Sequence, residues 1–185
     1  MTLEDANMGE RVKERLKRCG GEVQIYPLAK IAHPEVIEIG DHSVIDDFTF
    51  INGGKGIKIG RYVHIASFVS IIGGGTLIVG DYAALATGCR VVNGSDTYKD
   101  GKRMSTALPV EQRSQISEIM QGIVIIEKDA FIGTNVVVHP NVKIGEGAII
   151  GSNSLVLRDV EPWTINVGSP CRKIGERPRV KLEEI

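Results

Sequence analysis

Residues 126–161 read IEKDAF, IGTNVV, VHPNVK, IGEGAI, IGSNSL and VLRDVE, six consecutive hexapeptides that each begin with Ile or Val. An amphipathic helix repeats its apolar residues every three to four positions, and an amphipathic strand every two. A sustained period of six is instead typical of a parallel β-helix, in which each hexapeptide forms one short strand and one corner. The pattern predicts that the first and fifth residues point inward and that three hexapeptides close one triangular coil.

The same pattern precedes this stretch, with a longer spacing between coils. Two sets of aliphatic residues recur every 20 residues, namely Ile25, Ile45, Ile65 and Leu85, and Ile31, Ile51, Ile71 and Val91. This spacing predicts coils of 18 residues with two extra residues at one corner, for example Ile57-Lys58. The predicted inward fifth positions hold small or branched residues: Ser43, Thr49, Val63, Val69, Ala83 and Cys89. Cys89 is therefore predicted to be a buried spacer rather than a nucleophile.

Three segments follow from these patterns. Residues 1–21 form an N-terminal helical segment, because apolar residues recur among charges before Gly20 and Gly21. Residues 22–161 form the β-helix, interrupted by a loop at 97–122 where the hexapeptides stop and the sequence becomes polar. A loop of this length in a compact repeat is usually functional or disordered. Residues 162–185 form a tail that caps the last coil.

Composition narrows the class of protein. The chain has 185 residues, is 42% hydrophobic and carries a formal net charge of −1, which favours neither nucleic acid nor an anionic membrane as a partner. Three scattered cysteines argue against a disulfide framework. No apolar run approaches the roughly 20 residues of a membrane helix, and residues 1–20 lack the apolar core of a signal peptide. The expected location is the cytoplasm.

The hexapeptides, the single long loop and the closing segment VGSPCR at 167–172 resemble the hexapeptide-repeat acyltransferases, particularly the galactoside and maltose acetyltransferases and their relatives in nucleotide-sugar and surface-polysaccharide pathways. The resemblance implies an all-β, left-handed parallel β-helix, although parallel crossovers are usually right-handed. It also implies a homotrimer with active sites in the clefts between protomers, acetyl-CoA as acyl donor and no metal. The implied acceptor is a sugar or a nucleotide-linked sugar, with O- or N-acetylation left open.

Catalysis in this family is direct acyl transfer, in which a base removes a proton from the acceptor. In the sugar acetyltransferases a histidine closes the hexapeptide before the loop, but Asp96 stands there in this chain. His64, the sixth residue of IGRYVH, is therefore the leading candidate base, and Asp96 is expected to contact substrate or orient a base. An amino-sugar acceptor would lessen the need for an enzymic base. His139 is expected at a corner. The other predicted acceptor contacts are Asn93, Tyr98 and Arg103.

The donor site is also assigned by resemblance. The pantetheine arm is expected to run along two stacked corners beside an aromatic residue, that is, along Gly133, Thr134, Gly151 and Ser152 beside Phe131. The basic residues near the end of the solenoid are candidates for binding the CoA phosphates: Arg158, Arg172 and Lys173. For the glycines, ordinary corner packing explains the residues almost as well, and a solvated basic tail explains the cations.

Two other classes of protein share this fold pattern. Zinc carbonic anhydrases need three histidines close in space, but the four histidines here are separated by 9, 22 and 75 residues, and no pair matches the coil spacing of 20. The spacing argues against a catalytic zinc. A non-catalytic scaffold would need neither the long loop nor the basic C-terminal segment, and it is kept as the alternative.

Overall fold

A computed structural model describes residues 7–97, 101 and 119–180 of the chain. Short parallel strands stack into three sheets that form the faces of a triangular prism. We call them sheets 1, 2 and 3 in the order in which each coil visits them. Sheet 1 comprises Arg18–Cys19, Ile37–Ile39, Gly56–Ile59, Thr76–Val79, Ile123–Ile126 and Lys143–Ile144. Sheet 2 comprises Gln24–Ile25, Val44–Ile45, His64–Ile65, Ala84–Leu85, Phe131–Ile132, Ile149–Ile150, Thr164–Val167 and Arg172–Glu176. Sheet 3 comprises Lys30–Ala32, Phe50–Asn52, Ser70–Ile72, Arg90–Val92, Val137–Val138 and Leu155–Val156.

The predicted register is confirmed in both halves of the solenoid. Ile25, Ile45, Ile65 and Leu85 are successive partners in sheet 2. The first and fifth residues of the hexapeptides between 126 and 161 are buried, and so are all six predicted inward residues of the earlier coils. Stacked aliphatic side chains therefore form one continuous core along the prism axis, which is the principal source of stability for such a narrow fold.

The prediction that the two extra residues of the 20-residue coils lie at a corner is wrong. They extend the strands of sheet 1, where Ile57 pairs with Ile37 and Leu77 with Ile57. These three side chains point inward and are at most 2% exposed. Longer strands bring an additional apolar layer into the core, which explains why the extra positions nearest the core are aliphatic.

The N-terminal segment differs from the predicted helix. Gly9–Arg15 forms a 3₁₀ helix, and Arg18–Cys19 already pairs with Glu38–Ile39 as the first strand of sheet 1. Gly9 has φ +55°, and a Cβ there would lie 2.9 Å from the Cα of Pro27. The chain therefore turns against the first coil at this glycine.

Cys89 shows the environment predicted for a buried spacer. Its side chain is inaccessible, and its thiol lies 2.9 Å from the carbonyl oxygen of Gly133. Burial raises the pKa of Cys89 from 9.0 to about 11. This pKa disfavours the thiolate, so Cys89 is a poor nucleophile at neutral pH.

The raised pKa predicts a loss of stability in alkali. Because the folded thiol binds its proton more tightly than the unfolded thiol, the stabilisation is present below pH 9 and is lost between about pH 9 and pH 11. We expect the free energy of unfolding, measured with urea, to fall by roughly 2 kcal/mol more over this range in the native sequence than in Cys89→Ala. Cys19→Ala serves as the control and should retain the fall. Identical pH profiles for the native chain and Cys89→Ala would contradict the prediction.

The long loop leaves and returns at one corner between sheets 3 and 1. Gly94–Asp96 pairs antiparallel with Ile119–Gln121, so the base of the loop is a two-stranded ribbon. The returning strand lies inside the segment predicted as loop. At the C-terminus, Thr164–Val167 adds a further parallel strand to sheet 2, and Arg172–Glu176 folds back against it. Arg177 then donates hydrogen bonds to the carbonyl oxygens of Asp129 and Gly147, which fixes the tail on the last coils. No helix among the described residues is long and apolar enough to cross a membrane.

Candidate functional site

Asn93 organises the base of the loop. Its side chain is fully buried, and its Oδ1 accepts a hydrogen bond from the backbone N–H of Gly75 at 3.0 Å. Its carbonyl oxygen accepts a second bond from the N–H of Gly122 at 2.8 Å. The structure thus places Asn93 beneath the loop and not on the surface expected for an acceptor contact, so it holds the departing and returning chain together.

A cavity of about 390 Å³ opens where the ribbon meets sheet 3. We call it the loop-base cavity. It is lined by Val92, Ser95, Asp96, Thr97, Met120, His139 and Pro140. Its walls are mainly apolar, and the ionisable groups among its lining residues are the Asp96 carboxylate and the His139 imidazole. A carboxylate in such a mainly apolar setting attracts a cationic group more strongly than it would in water.

His139 lies at a corner, as expected, but it also lines the loop-base cavity. Val138 pairs with Val91 of the preceding coil. His139 is the next residue, so it lies beside Val92, one coil further along the prism. The proximity of His139 to Val92 is not evident from the sequence, because the inserted loop separates the two residues. The two positions are 47 residues apart in the chain, and only the coil register reveals that they are adjacent.

His64 lies elsewhere, on the outer face of sheet 2. Its exposed ring places Nε2 3.1 Å from Oδ2 of Asp46, which orients the imidazole. Asp46 was not identified from the sequence, since it lies two residues beyond Val44, the direct partner of His64. A histidine oriented by a carboxylate is one half of a general-base arrangement. His64 is not among the residues that line the loop-base cavity.

The corners predicted to bind pantetheine are stacked on each other. Phe131 is 42% exposed on the outer face of sheet 2. A Cβ at Gly133 would lie 2.6 Å from the Ile150 carbonyl oxygen, so close packing of the coils requires this glycine. The N–H of Gly133 donates to the carbonyl oxygen of Ile150, and the N–H of Gly151 donates to the carbonyl oxygen of Asn166. These two amide protons are therefore engaged within the solenoid.

The other two corner residues differ in exposure. Ser152 is exposed and Thr134 is half-buried. Since the glycine amides are engaged, polar contacts to a pantetheine arm at these corners would come from other groups, among them the Thr134 and Ser152 hydroxyls.

The three predicted phosphate-binding residues converge at the C-terminal end of the prism. Arg158, Arg172 and Lys173 line a cavity of about 370 Å³, which we call the end cavity. Lys173 is paired with Glu176 at 2.6 Å and with Glu161 at 3.1 Å, and hydrogen bonding to Glu176 raises its pKa. Both arginines are exposed. The end cavity is therefore lined by both cations and carboxylates, and within it the arginines are better placed than Lys173 to bind an anion.

Tyr98 and Arg103 lie outside the described residues. Within residues 7–97, 101 and 119–180, no group of three or more His, Cys, Asp or Glu side chains is arranged to hold a metal ion.

Comparison with known proteins shows the family to which the chain is related. The bacterial transferase hexapeptide (six repeats) family model matches residues 123–158. The chain is 36% identical over 167 residues to dTDP-4-amino-4,6-dideoxy-D-glucose acyltransferase of Escherichia coli. The aligned region covers 90% of this chain and 85% of that protein. Galactoside O-acetyltransferase of Escherichia coli K12 matches over 53 residues at 40% identity, only 29% of this chain and 26% of that protein.

A solved structure extends this similarity to the fold. AntD, an N-acyltransferase from Bacillus cereus solved with dTDP and 3-hydroxybutyryl-CoA, superposes with a TM-score of 0.82 at 33% identity. The match covers 92% of this chain and 88% of AntD. The predicted left-handed β-helix is confirmed by this match.

Proposed function

The chain belongs to the hexapeptide-repeat acyltransferases, which use acyl-coenzyme A as donor, and we propose that its acceptor is the amino group of a nucleotide-linked sugar. The observation that carries the proposal is the near full-length similarity to a dTDP-amino-sugar acyltransferase. A variant of AntD that is 32% identical over 94% of this chain was solved with dTDP-4-amino-4,6-dideoxyglucose and coenzyme A. The aspartate at the position where sugar O-acetyltransferases carry a histidine agrees with an amine acceptor.

Asp96 is the proposed contact for that amine. An alkylamine is protonated near neutral pH, and a carboxylate in the mainly apolar loop-base cavity stabilises the ammonium ion by charge attraction. The ammonium must lose a proton before its nitrogen can attack. Asp96 therefore positions the acceptor, and a second group takes the proton.

His64 is the proposed proton acceptor, oriented by Asp46. Since His64 lies on sheet 2 and Asp96 lies at the corner after sheet 3, one active site requires two protomers. We propose a homotrimer in which sheet 2 of one protomer faces the loop-base cavity of its neighbour. An interface of this kind also supplies a cleft beside the outer face of sheet 2, where His64 lies.

The reaction then balances without a further reactant. His64 takes a proton from the acceptor nitrogen, whose lone pair attacks the thioester carbonyl carbon. The new C–N bond forms, the C–S bond breaks, the nitrogen gives its second proton to the departing coenzyme A sulfur, and His64 releases the first proton to solvent. Backbone or hydroxyl donors beside the thioester stabilise the developing oxyanion.

The end cavity is the proposed site for the CoA phosphates. Replacing Arg172 by Gln removes one charge from its rim, so we expect the KM for acetyl-CoA to rise roughly 10-fold while the KM for the acceptor is unchanged. Dephospho-CoA derivatives provide the control, because a contact with the 3′-phosphate should make the variant insensitive to its removal. Equal acetyl-CoA KM values for both proteins would remove Arg172 from the donor site.

We further propose a cytoplasmic location. The described cysteines at positions 19, 89 and 171 are free thiols, in agreement with a reducing compartment.

Thiol release from acetyl-CoA tests the proposed function. The acceptor panel contains free sugars, nucleotide sugars and nucleotide amino sugars. We expect turnover with the nucleotide amino sugars alone. Turnover with a free sugar or an unaminated nucleotide sugar as the preferred acceptor would contradict the proposal.

A further inference from the structure

We propose that Val92, Met120 and Pro140 form an apolar wall in the loop-base cavity that selects amino sugars bearing a methyl group at C6 over those bearing a hydroxymethyl group. This inference rests on the proposed function, because it assumes that the cavity receives the sugar.

The size and the chemistry of the cavity identify the part of the acceptor that enters it. A volume of about 390 Å³ is at the low end of ligand pockets, so it suits one hexose and leaves the nucleotide outside. Asp96 provides a charge for the amine. The three apolar side chains provide surface that a fully hydroxylated sugar would cover poorly, because a hydroxyl buried there lacks a hydrogen-bond partner.

The wall is built on ordered elements from three places in the chain. Val92 ends a strand of sheet 3 and pairs with Ile72 of the preceding coil. Met120 is opposite Ser95 in the ribbon and is 44% exposed. Pro140 follows His139 at the corner of the next coil, where its ring has little freedom. Two of the three side chains, those of Val92 and Pro140, have few rotamers, and Met120 is the more adaptable part of the wall.

The cavity also contains a buried hydroxyl group, which favours a polar part of the sugar. The hydroxyl oxygen of Thr97 is buried and has no hydrogen-bond partner among the described residues. It lines the same cavity and can pair with a hydroxyl of the sugar ring. The cavity therefore offers a charge for the amine, a polar contact for the ring and an apolar wall for the methyl group.

The magnitude of the selection follows from the chemistry of the wall. Apolar pockets discriminate between groups that differ by one hydroxyl or methylene by about 10- to 200-fold. We expect kcat/KM to be at least about 10-fold higher for dTDP-4-amino-4,6-dideoxyglucose than for its 6-hydroxy counterpart.

Two variants test whether the wall causes this ratio. Val92→Thr preserves side-chain shape and Met120→Gln preserves length, and each adds a polar group to the wall. Each is expected to reduce the ratio about 5-fold, mainly by lowering kcat/KM for the 6-deoxy sugar. The control is Ile78→Thr, a matched change at an exposed strand position on sheet 1 that does not line the cavity. It should leave the ratio unchanged.

The outcomes separate this inference from the proposed function. Turnover of both amino sugars with a ratio near one, or an unchanged ratio in both variants, overturns the wall and leaves the proposed function standing. A change in the preference for acetyl-CoA over butyryl-CoA, with the acceptor ratio unchanged, also overturns it, because the wall would then contact the acyl chain. No turnover with either amino sugar removes the proposed function and this inference with it.

Discussion

His64→Ala and Asp96→Asn are each expected to lower kcat by roughly 10²-fold or more. The first change removes the proposed proton acceptor, and the second removes the charge that positions the ammonium ion. Neither side chain belongs to the core, so both variants should fold and assemble like the native chain. Steady-state thiol release with a nucleotide amino sugar gives the rates, and thermal unfolding checks the fold.

Mixing these two inactive variants provides a sharper test of a site shared between protomers. If the site takes His64 from one protomer and Asp96 from its neighbour, random reassembly of equal amounts leaves about one quarter of the sites intact. We therefore expect activity to return to about a quarter of the native level after co-refolding. A double variant carrying both changes, co-refolded with either single variant, is the control and should remain inactive.

Two results would contradict this arrangement. Full activity of His64→Ala would remove His64 from the reaction. Loss of activity in His139→Ala, with no recovery when it is mixed with Asp96→Asn, would place the proton acceptor in the loop-base cavity of the same protomer. His139 is the relevant comparison because it lines that cavity with Asp96.

Gly75→Ala is expected to cause the largest loss of stability among single-methyl additions at the loop base. A Cβ at this position would lie 2.0 Å from the Asn93 carbonyl oxygen and 2.3 Å from that of Gly122. Both are backbone atoms, which cannot move aside as a flexible side chain does. The two ends of the loop must separate, so we expect a loss of about 3 kcal/mol in the free energy of unfolding.

The same change should affect one substrate more than the other. Displacing Asn93 disturbs the loop-base cavity, whereas the end cavity lies at the C-terminal end of the prism. At temperatures where the variant remains folded, acceptor turnover should fall while acetyl-CoA binding persists. Gly21→Ala is the matched corner control, because the atom nearest to its Cβ is 4.0 Å away. Equal unfolding temperatures for the two variants would contradict the steric argument.

The fold could be predicted from the sequence because the hexapeptide period alone determines which residues face inward. Ile25, Cys89 and Ala130 are all buried at their predicted positions. The position of the two extra residues in each 20-residue coil could not be predicted. An insertion of two residues changes the period by the same amount whether it lengthens a strand or a corner. The pairing of Ile37 with Ile57, which is seen only in the structure, shows that the strand is lengthened.

The candidate site could be predicted only in part. Arg158 and Arg172 converge as expected because both lie near the end of a solenoid whose order follows the chain. The proximity of Asp46 to His64 and of His139 to Asp96 could not be predicted, because it depends on register across coils and across the inserted loop. Asn93 is buried beneath the loop, where its Oδ1 accepts a bond from the backbone of Gly75, and its contact with the acceptor stays a prediction.

Analysis of the product tests the central claim most directly. The protein is incubated with acetyl-CoA and dTDP-4-amino-4,6-dideoxyglucose, and the nucleotide sugar is examined by mass spectrometry before and after hydroxylamine treatment. We predict a gain of one acetyl group that hydroxylamine does not remove, because the bond formed is an amide. An unchanged nucleotide sugar, or an acetyl group that hydroxylamine removes as an ester, would contradict transfer to the amine.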